Sequence, residues 1–299
     1  MRPGKPLRAG ASILIASINM TGGGARCIVA AMSLPSRQQQ RAAARERQKS
    51  YEIVARRGIP LDDPGGATAL VTGRLIAMLA DGANPHRASD AAALAQSGFE
   101  TAMRNNPRPE RVACGKGCAH CCDNFVAASA ADVLLIARRL REAGRAPAVL
   151  ERLRAAGERT RGADAEARYL LRVACPLLTA EGACSVYAVR PMACRGLASL
   201  ALSACEAWAE RQPVKIPQPH GHRFFRAAYD RALRAALKAT GHSPVGYELI
   251  HALTVALERP DAEAAWLAGE DVFAGVQVDP MWARLPADYF DPLIAAARA

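Results

Sequence analysis

Eight of the nine cysteines in this chain fall between positions 114 and 205, and their spacing points to chemistry. The first string is Cys114-Gly-Lys-Gly-Cys118-Ala-His-Cys121-Cys122, answered downstream by Cys175-Pro176, Cys184, Cys194-Arg195 and Cys205. Thiols crowded like this either ligate a metal or pair with one another. A zinc site of thiolates needs its sulfurs about 2.3 Å from the ion. Short spacings let one turn offer several thiols to one point. On a helix starting near Cys118, residues 118, 121 and 122 would share a face. Gly115 and Gly117 would let Cys114 join from a tight loop. Cys114, Cys118, Cys121, Cys122, Cys175, Cys184, Cys194 and Cys205 are therefore the candidate metal ligands.

The vicinal pair Cys121-Cys122 constrains that site. Adjacent side chains diverge, so the expectation is one thiol in the site and the other packed, bridging or serving a second site. This favours a multinuclear or iron–sulfur centre over a single zinc ribbon with four cysteine ligands. Cys175, Cys184 and Cys194 are too far apart to act from one loop, so their segment must fold back. Pro176, Gly182 and Pro191 supply turns for that. Lys116, Arg190 and Arg195 are cations placed to offset thiolate charge. Burial as plain hydrophobes is a poor account of so dense a window, and a redox set of disulfides is the stronger rival. Cys205 reads equally as ligand or packed thiol. His120, and His220 with His222, are more often neighbours or capping residues than ligands.

The elements that must carry these residues are helical. The chain has 299 residues, 51% apolar and only 5% aromatic, with its apolar mass in Ala and Leu. Those are helix formers, whereas a sheet would lean on Val, Ile, Thr and aromatics. Helical periodicity runs through 70–79, 89–104, 133–140, 147–173 (interrupted near Gly162), 223–239, 245–257, 261–267 and 292–298. Ser89 is a candidate N-cap, Pro107 and Pro109 close that stretch, and Ser129-Ala-Ala-Asp132 is a capping signal with Gly144 as stop. No strand pair stands out. The expected fold is mainly α: a helical domain with an irregular, loop-rich cysteine cluster.

Charge separates the ends. The net charge is +11, yet residues 58–299 carry only +2 of it. The excess lies in residues 1–57, including the basic, helix-prone segment 36–58, which reads more simply as a solvated face than as a contact arm. Residues 1–31 match a signal peptide poorly, because Asn19 breaks the apolar stretch and Thr-Gly-Gly-Gly follows. They read as a non-native or disordered extension ahead of a start at Met32, with Cys27 inside it. The expected organisation is 1–31 extension, 32–63 basic arm, and 64–299 helical body holding the cysteine domain at about 110–210. There is no run of 18 apolar residues. The expected compartment is cytoplasmic, where clustered thiols favour metal.

The combined string Cys114-x3-Cys118-x2-Cys121-Cys122, Cys175-Pro176-Leu177, Gly182-x-Cys184-Ser185-x-Tyr187 and Arg190-Pro191-x2-Cys194-Arg195 resembles the YkgJ-type cysteine-cluster family, described as a zinc- or iron-chelating domain. The likeness covers about a third of the chain and extends to Ser129–Leu140. It implies Cys114, Cys118, Cys121, Cys122, Cys175, Cys184 and Cys194 as chelators and leaves zinc and iron open. A related branch, the flagellin lysine methylases, is similar in its cysteine cluster and implies iron–sulfur and methyl-donor chemistry. No glycine-rich methyl-donor loop follows a strand here, so that activity is not carried over.

The sequence thus reads as a cytosolic protein whose partner is a metal ion, zinc or iron, with an iron–sulfur cluster among the alternatives. The rival reading is an iron–sulfur-dependent modifying enzyme. No nucleophile elbow, P-loop, HExxH or carboxylate pair supports it, and catalysis stays open. A nucleic-acid module is disfavoured by the near-neutral body and scarce aromatics.

Overall fold

The computed structural model describes residues 36–62, 64–106 and 110–299. The expected extension 1–31 with Cys27, the expected start at Met32, and Pro107 and Pro109, expected to close a helix, lie outside the described residues. The chain divides into two units, Met1–Lys49 and Ser50–Ala299. Ser36 opens helix α1 (Arg37–Arg57), which begins in the first unit and ends in the second, and none of its residues is buried. Ser36 Oγ accepts from the Gln39 amide at 3.2 Å, and Gln39 Oε1 accepts from the Ser36 amide at 2.7 Å. That reciprocal pair satisfies two helix-end donors without any packing.

The second unit is mainly helical, as the Ala- and Leu-rich composition requires. Its elements in order are α2 (Pro64–Leu79), α3 (Arg87–Asn105), β1 (Ala127–Ala128), α4 (Ala130–Glu142), α5 (Ala146–Thr160), α6 (Ala165–Leu171) and α7 (Met192–Gly196). There follow α8 (Leu202–Ala209), α9 (His220–Ala239), β2 (Tyr247–Glu248), α10 (Leu249–Glu258), α11 (Ala262–Leu267) and α12 (Asp291–Arg298). Helix α9 packs on α2, α3, α7 and α12, and α10 packs on α4 and α5. The buried residues Phe225, Tyr229, Ala232, Leu233, Ala236 and Leu237 recur on α9 at helical spacing and make one core-facing stripe. Helix α4 is different: Ala130 through Ala137 are all buried, because the rest of the domain surrounds its first turns.

Small residues let these helices approach closely. On α3, Ala88, Ala91, Ala92, Ala95 and Ala102 are fully buried. A methyl on Gly98 would collide with the ring of Tyr229, so this glycine sets the α3–α9 distance. The Tyr229 hydroxyl, at the far end of that ring, accepts from the Ile59 amide at 3.1 Å.

Two expectations are corrected. Ser89 does not cap α3, which begins at Arg87. Its amide and hydroxyl donate instead to the Glu263 carboxylate at 2.8 and 2.7 Å. A carboxylate from α11 thus satisfies first-turn donors and complements the helix dipole, which local sequence cannot reveal. A strand pair also exists: β1 and β2 are antiparallel, Ala127 opposite Glu248 and Ala128 opposite Tyr247. Two residues per strand give no period-2 signal. The ladder sets the starts of α4 and α10 side by side and fixes the chain leaving the first cysteine string.

Candidate metal centre

The first string does not become a helix. Residues 114–124 form successive turns, with the Cys118 amide donating to the Gly115 carbonyl at 3.1 Å and the Cys122 amide to Ala119 at 2.9 Å. Gly117 takes φ of +86°, a backbone that stops helical continuation and that glycine adopts without strain. The expected one-face arrangement of 118, 121 and 122 therefore gives way to thiols presented from a coiled loop.

A hairpin presents the second set. Leu178 and Cys184 form an antiparallel bridge, the Ser185 amide donates to Leu177 at 2.8 Å, and the Thr179 amide to Ala183 at 2.8 Å. Gly182, at φ +75°, turns the tip. Cys175 and Cys184 each head a tight turn, with Leu178 donating to the Cys175 carbonyl at 3.1 Å and Tyr187 to the Cys184 carbonyl at 3.3 Å. In both turns the amide two residues on, Leu177 or Val186, points at the cysteine sulfur. An N–H aimed at sulfur favours the thiolate, the form that binds metal. Cys194 sits on short α7 behind them.

The two segments meet. The Cys175 amide donates to the Cys122 carbonyl at 2.6 Å, and the Ala113 amide to Ser199 at 2.8 Å. The Ser199 amide in turn donates to Cys114 Sγ at 3.4 Å. Cys114, Cys118, Cys121 and Cys205 line one cavity of about 20 Å³, with His120, Trp208 and Ile216 in its wall. That is room for a single water-sized or ion-sized guest. Cys205, ambiguous in sequence, is thereby placed with the first string. Cys175, Cys184 and Cys194 feel one another electrostatically, and Cys194 also feels Cys121. Cys121 thus stands between two thiol groups. It is hydrogen-bonded to Cys122, so the vicinal side chains do not diverge as expected.

Five of these thiols, Cys114, Cys121, Cys175, Cys184 and Cys194, are pushed toward the protonated form. The bond to Cys122, followed by burial, drives Cys121 far above the ordinary thiol range. Burial pushes Cys175 up to about 11 and raises Cys114, Cys184 and Cys194 as well. Cys194 keeps some exposed surface as a residue, yet its thiol is densely surrounded. Arginines oppose this trend: Arg190 and Arg195 act on Cys184, and Arg168 acts on Cys175.

Those arginines also build the frame. Arg195, 4% exposed, donates to the carbonyls of Ala188 and Arg190, to Glu100 and to Gln96 Oε1. Gln96 passes the chain on to buried Asp132 at 2.7 Å, and Asp132 accepts from the Ser129 cap, also at 2.7 Å. The residue after Cys194 is thus tied to the start of α4. Arg168, 1% exposed, donates to the Val173 carbonyl at 2.8 Å just before Cys175. Arg211 pairs with Asp123, next to Cys122, at 2.6 Å and stacks on Tyr169 at 4.1 Å. Arg168, Arg211, Asp123 and Trp208 carried no sequence signal, because each acts through contacts set by the fold.

His222 packs edge-on to Phe99 at 6.2 Å and His220 stacks on Phe224 at 6.0 Å; neither lines the thiol cavity. None of the eight described cysteines forms a disulfide. Among the described residues, no three His, Cys, Asp or Glu side chains stand close enough to grip an ion as they are. The donor set nevertheless fits a soft or borderline metal, since thiols are ligands of zinc and iron. No described helix is long and apolar enough to cross a membrane.

No curated protein and no solved structure matches the chain. Residues 113–213, which carry both thiol groups, match a family model described as a "Putative zinc- or iron-chelating domain" and named for the pattern CxxCxxCC. This chain places three residues rather than two between its first pair of cysteines, and Gly115 and Gly117 lie in that loop.

Proposed function

We propose that residues 114–205 chelate zinc or iron through two thiol groups that meet at Cys121 and Cys122. Cys114, Cys118, Cys121 and Cys205 would hold one part of the centre; Cys175, Cys184 and Cys194, with Cys122 beside them, the other. The observation that carries this reading is an ion-sized cavity lined by three thiols of the first string and by Cys205 from a distant stretch of chain. The amides of Leu177 and Val186 support the second group by favouring thiolate at Cys175 and Cys184. A bound ion would supply the positive charge that deprotonates these thiols and draws them inward. Eight thiols, two of them the vicinal pair where the groups meet, suit two ions or one small iron–sulfur cluster better than a lone zinc.

The role is structural, electron-transferring or sensing, in a reducing compartment such as the cytoplasm. A modifying enzyme akin to flagellin lysine methylases has weaker support, since a cavity of about 20 Å³ gives a methyl donor no place beside the thiols. The test is anaerobic purification with elemental analysis and a visible spectrum. Stoichiometric zinc in colourless protein, or iron with broad visible absorbance, is the expected result. Folded, metal-free protein that takes up neither metal overturns the reading.

A further inference from the structure

Helix α1 sets out its cations in an order that a merely solvated surface does not require. Every residue from 36 to 49 is exposed, and this stretch lies within the first unit, Met1–Lys49. It is helical without burial because Arg, Gln, Ala, Glu and Lys are all strong helix formers. Arg37, Arg41, Arg45 and Lys49 recur every four residues. Successive members of such a series stand about 6 Å apart along the axis and about 40° apart around it. The four therefore form one ridge, about 18 Å long.

No acid interrupts that ridge. Glu46, the one acid between 36 and 49, lies off it, a single position after Arg45. It meets Lys49 only at 3.9 Å, with both side chains exposed, and so holds that charge weakly. Among the described residues, none forms an ion pair with Arg37, Arg41 or Arg45. The ridge fits an extended polyanion, and its composition selects which one. Its only apolar residues are Ala42, Ala43 and Ala44, so no Trp, Phe or Leu enters a lipid interface or anchors a protein partner. No aromatic side chain between 36 and 49 offers a platform for the bases of a single strand. Three of the four cations are arginines, whose fork meets phosphate at two points. Duplex DNA carries one charge per about 1.7 Å of its axis, dense enough to meet all four.

We infer that the Arg37–Lys49 ridge binds the phosphate backbone of double-stranded DNA without reading its sequence. Such contact needs neither the aromatics nor the body charge whose scarcity disfavours a nucleic-acid module. The inference does not depend on the metal reading, since the ridge contains no cysteine.

The test is fluorescence anisotropy of a labelled mixed-sequence DNA duplex titrated with the full chain between about 50 and about 200 mM salt. Four phosphate contacts should give log affinity a slope of about −3.6 against log salt. Replacing both Arg41→Gln and Arg45→Gln keeps good helix formers at exposed positions, so circular dichroism and metal content should not change. The double variant should bind about tenfold more weakly or worse, with the slope reduced by about 2. Residues 1–31 are the same in both proteins, so the difference reads the ridge alone. No binding to the duplex at low salt, or unchanged affinity and slope in the double variant, would overturn the inference. So would tighter binding to the single strand or to phosphatidylserine vesicles than to the duplex.

Discussion

The backbone amide of Cys175 donates to the carbonyl of Cys122 at 2.6 Å, directly joining the two cysteine segments. Nearby, Gly182 lies so close to the Gly117 carbonyl that a Cβ there would stand 3.4 Å from it. The segments therefore meet through main chain as well as through thiols. A backbone frame of this kind holds the two segments together although no three described donor side chains stand close enough to grip an ion, a gap that the proposed metal would close.

If metal closes that gap, Cys118→Ser and Cys184→Ser should each lower metal content and the melting temperature. A fully formed thiolate zinc site contributes on the order of 10 kcal/mol to folding, so the loss should be large. The variants also count centres. With two ions, each substitution removes about half the metal and the double variant removes all; with one cluster, either substitution removes all. Full occupancy and unchanged melting in both variants would sink the shared centre.

Helical class was legible because Ala and Leu dominate and apolar residues recur at helical spacing, as on α9. The capping signal at Ser129 was local and held: Ser129 Oγ accepts from the Asp132 amide at 3.1 Å. What sequence hid was set by tertiary contact. Glu263 satisfies α3 from another helix, and Arg195 answers Gln96 and Glu100 rather than thiolates alone. The thiol pattern named the candidate donors, but their division into two groups depends on the hairpin at 175–187. Its bridge pairs two residues and leaves no alternating pattern to read.

Gly196 offers a test of the frame without touching a thiol. It closes α7, the helix carrying Cys194, and a methyl there would collide with Cβ, Cγ and Cδ of Arg226 on α9. The near end of that side chain cannot swing away, so α7 must shift. Gly196→Ala should cost about 1–3 kcal/mol, as overpacking does, and weaken metal retention against a chelator. Wild-type melting and retention would show that α7 does not depend on this close approach.

Arg195 should prove irreplaceable by lysine. Its guanidinium serves Ala188, Arg190, Gln96 and Glu100 together, in a fork geometry that a single ammonium cannot reproduce. Arg195→Met leaves buried acceptors unpaired and should cost about 2–4 kcal/mol by chemical denaturation. Arg195→Lys should recover little of that. A lysine variant with wild-type stability would mean the charge matters and the fork does not.

The last prediction concerns pH and lies at the start of α10. His251 Nδ1 meets Glu248 Oε2 at 2.7 Å, and Nε2 meets the Gly157 carbonyl at 3.1 Å. Both ring nitrogens face acceptors, an arrangement that favours the imidazolium form. The bond to Glu248 is the main cause raising its pKa above 6.5, with burial and Arg161 opposing. A group whose folded pKa lies above its unfolded value stabilises fully below the unfolded value, and that support fades as pH climbs through the folded one. Wild-type protein should therefore lose stability from about pH 6.5 upward relative to His251→Gln, which lacks this titration. Melting curves of both proteins across that window give the difference directly. A difference that is flat, or that grows with pH, would show that His251 is not held charged by Glu248.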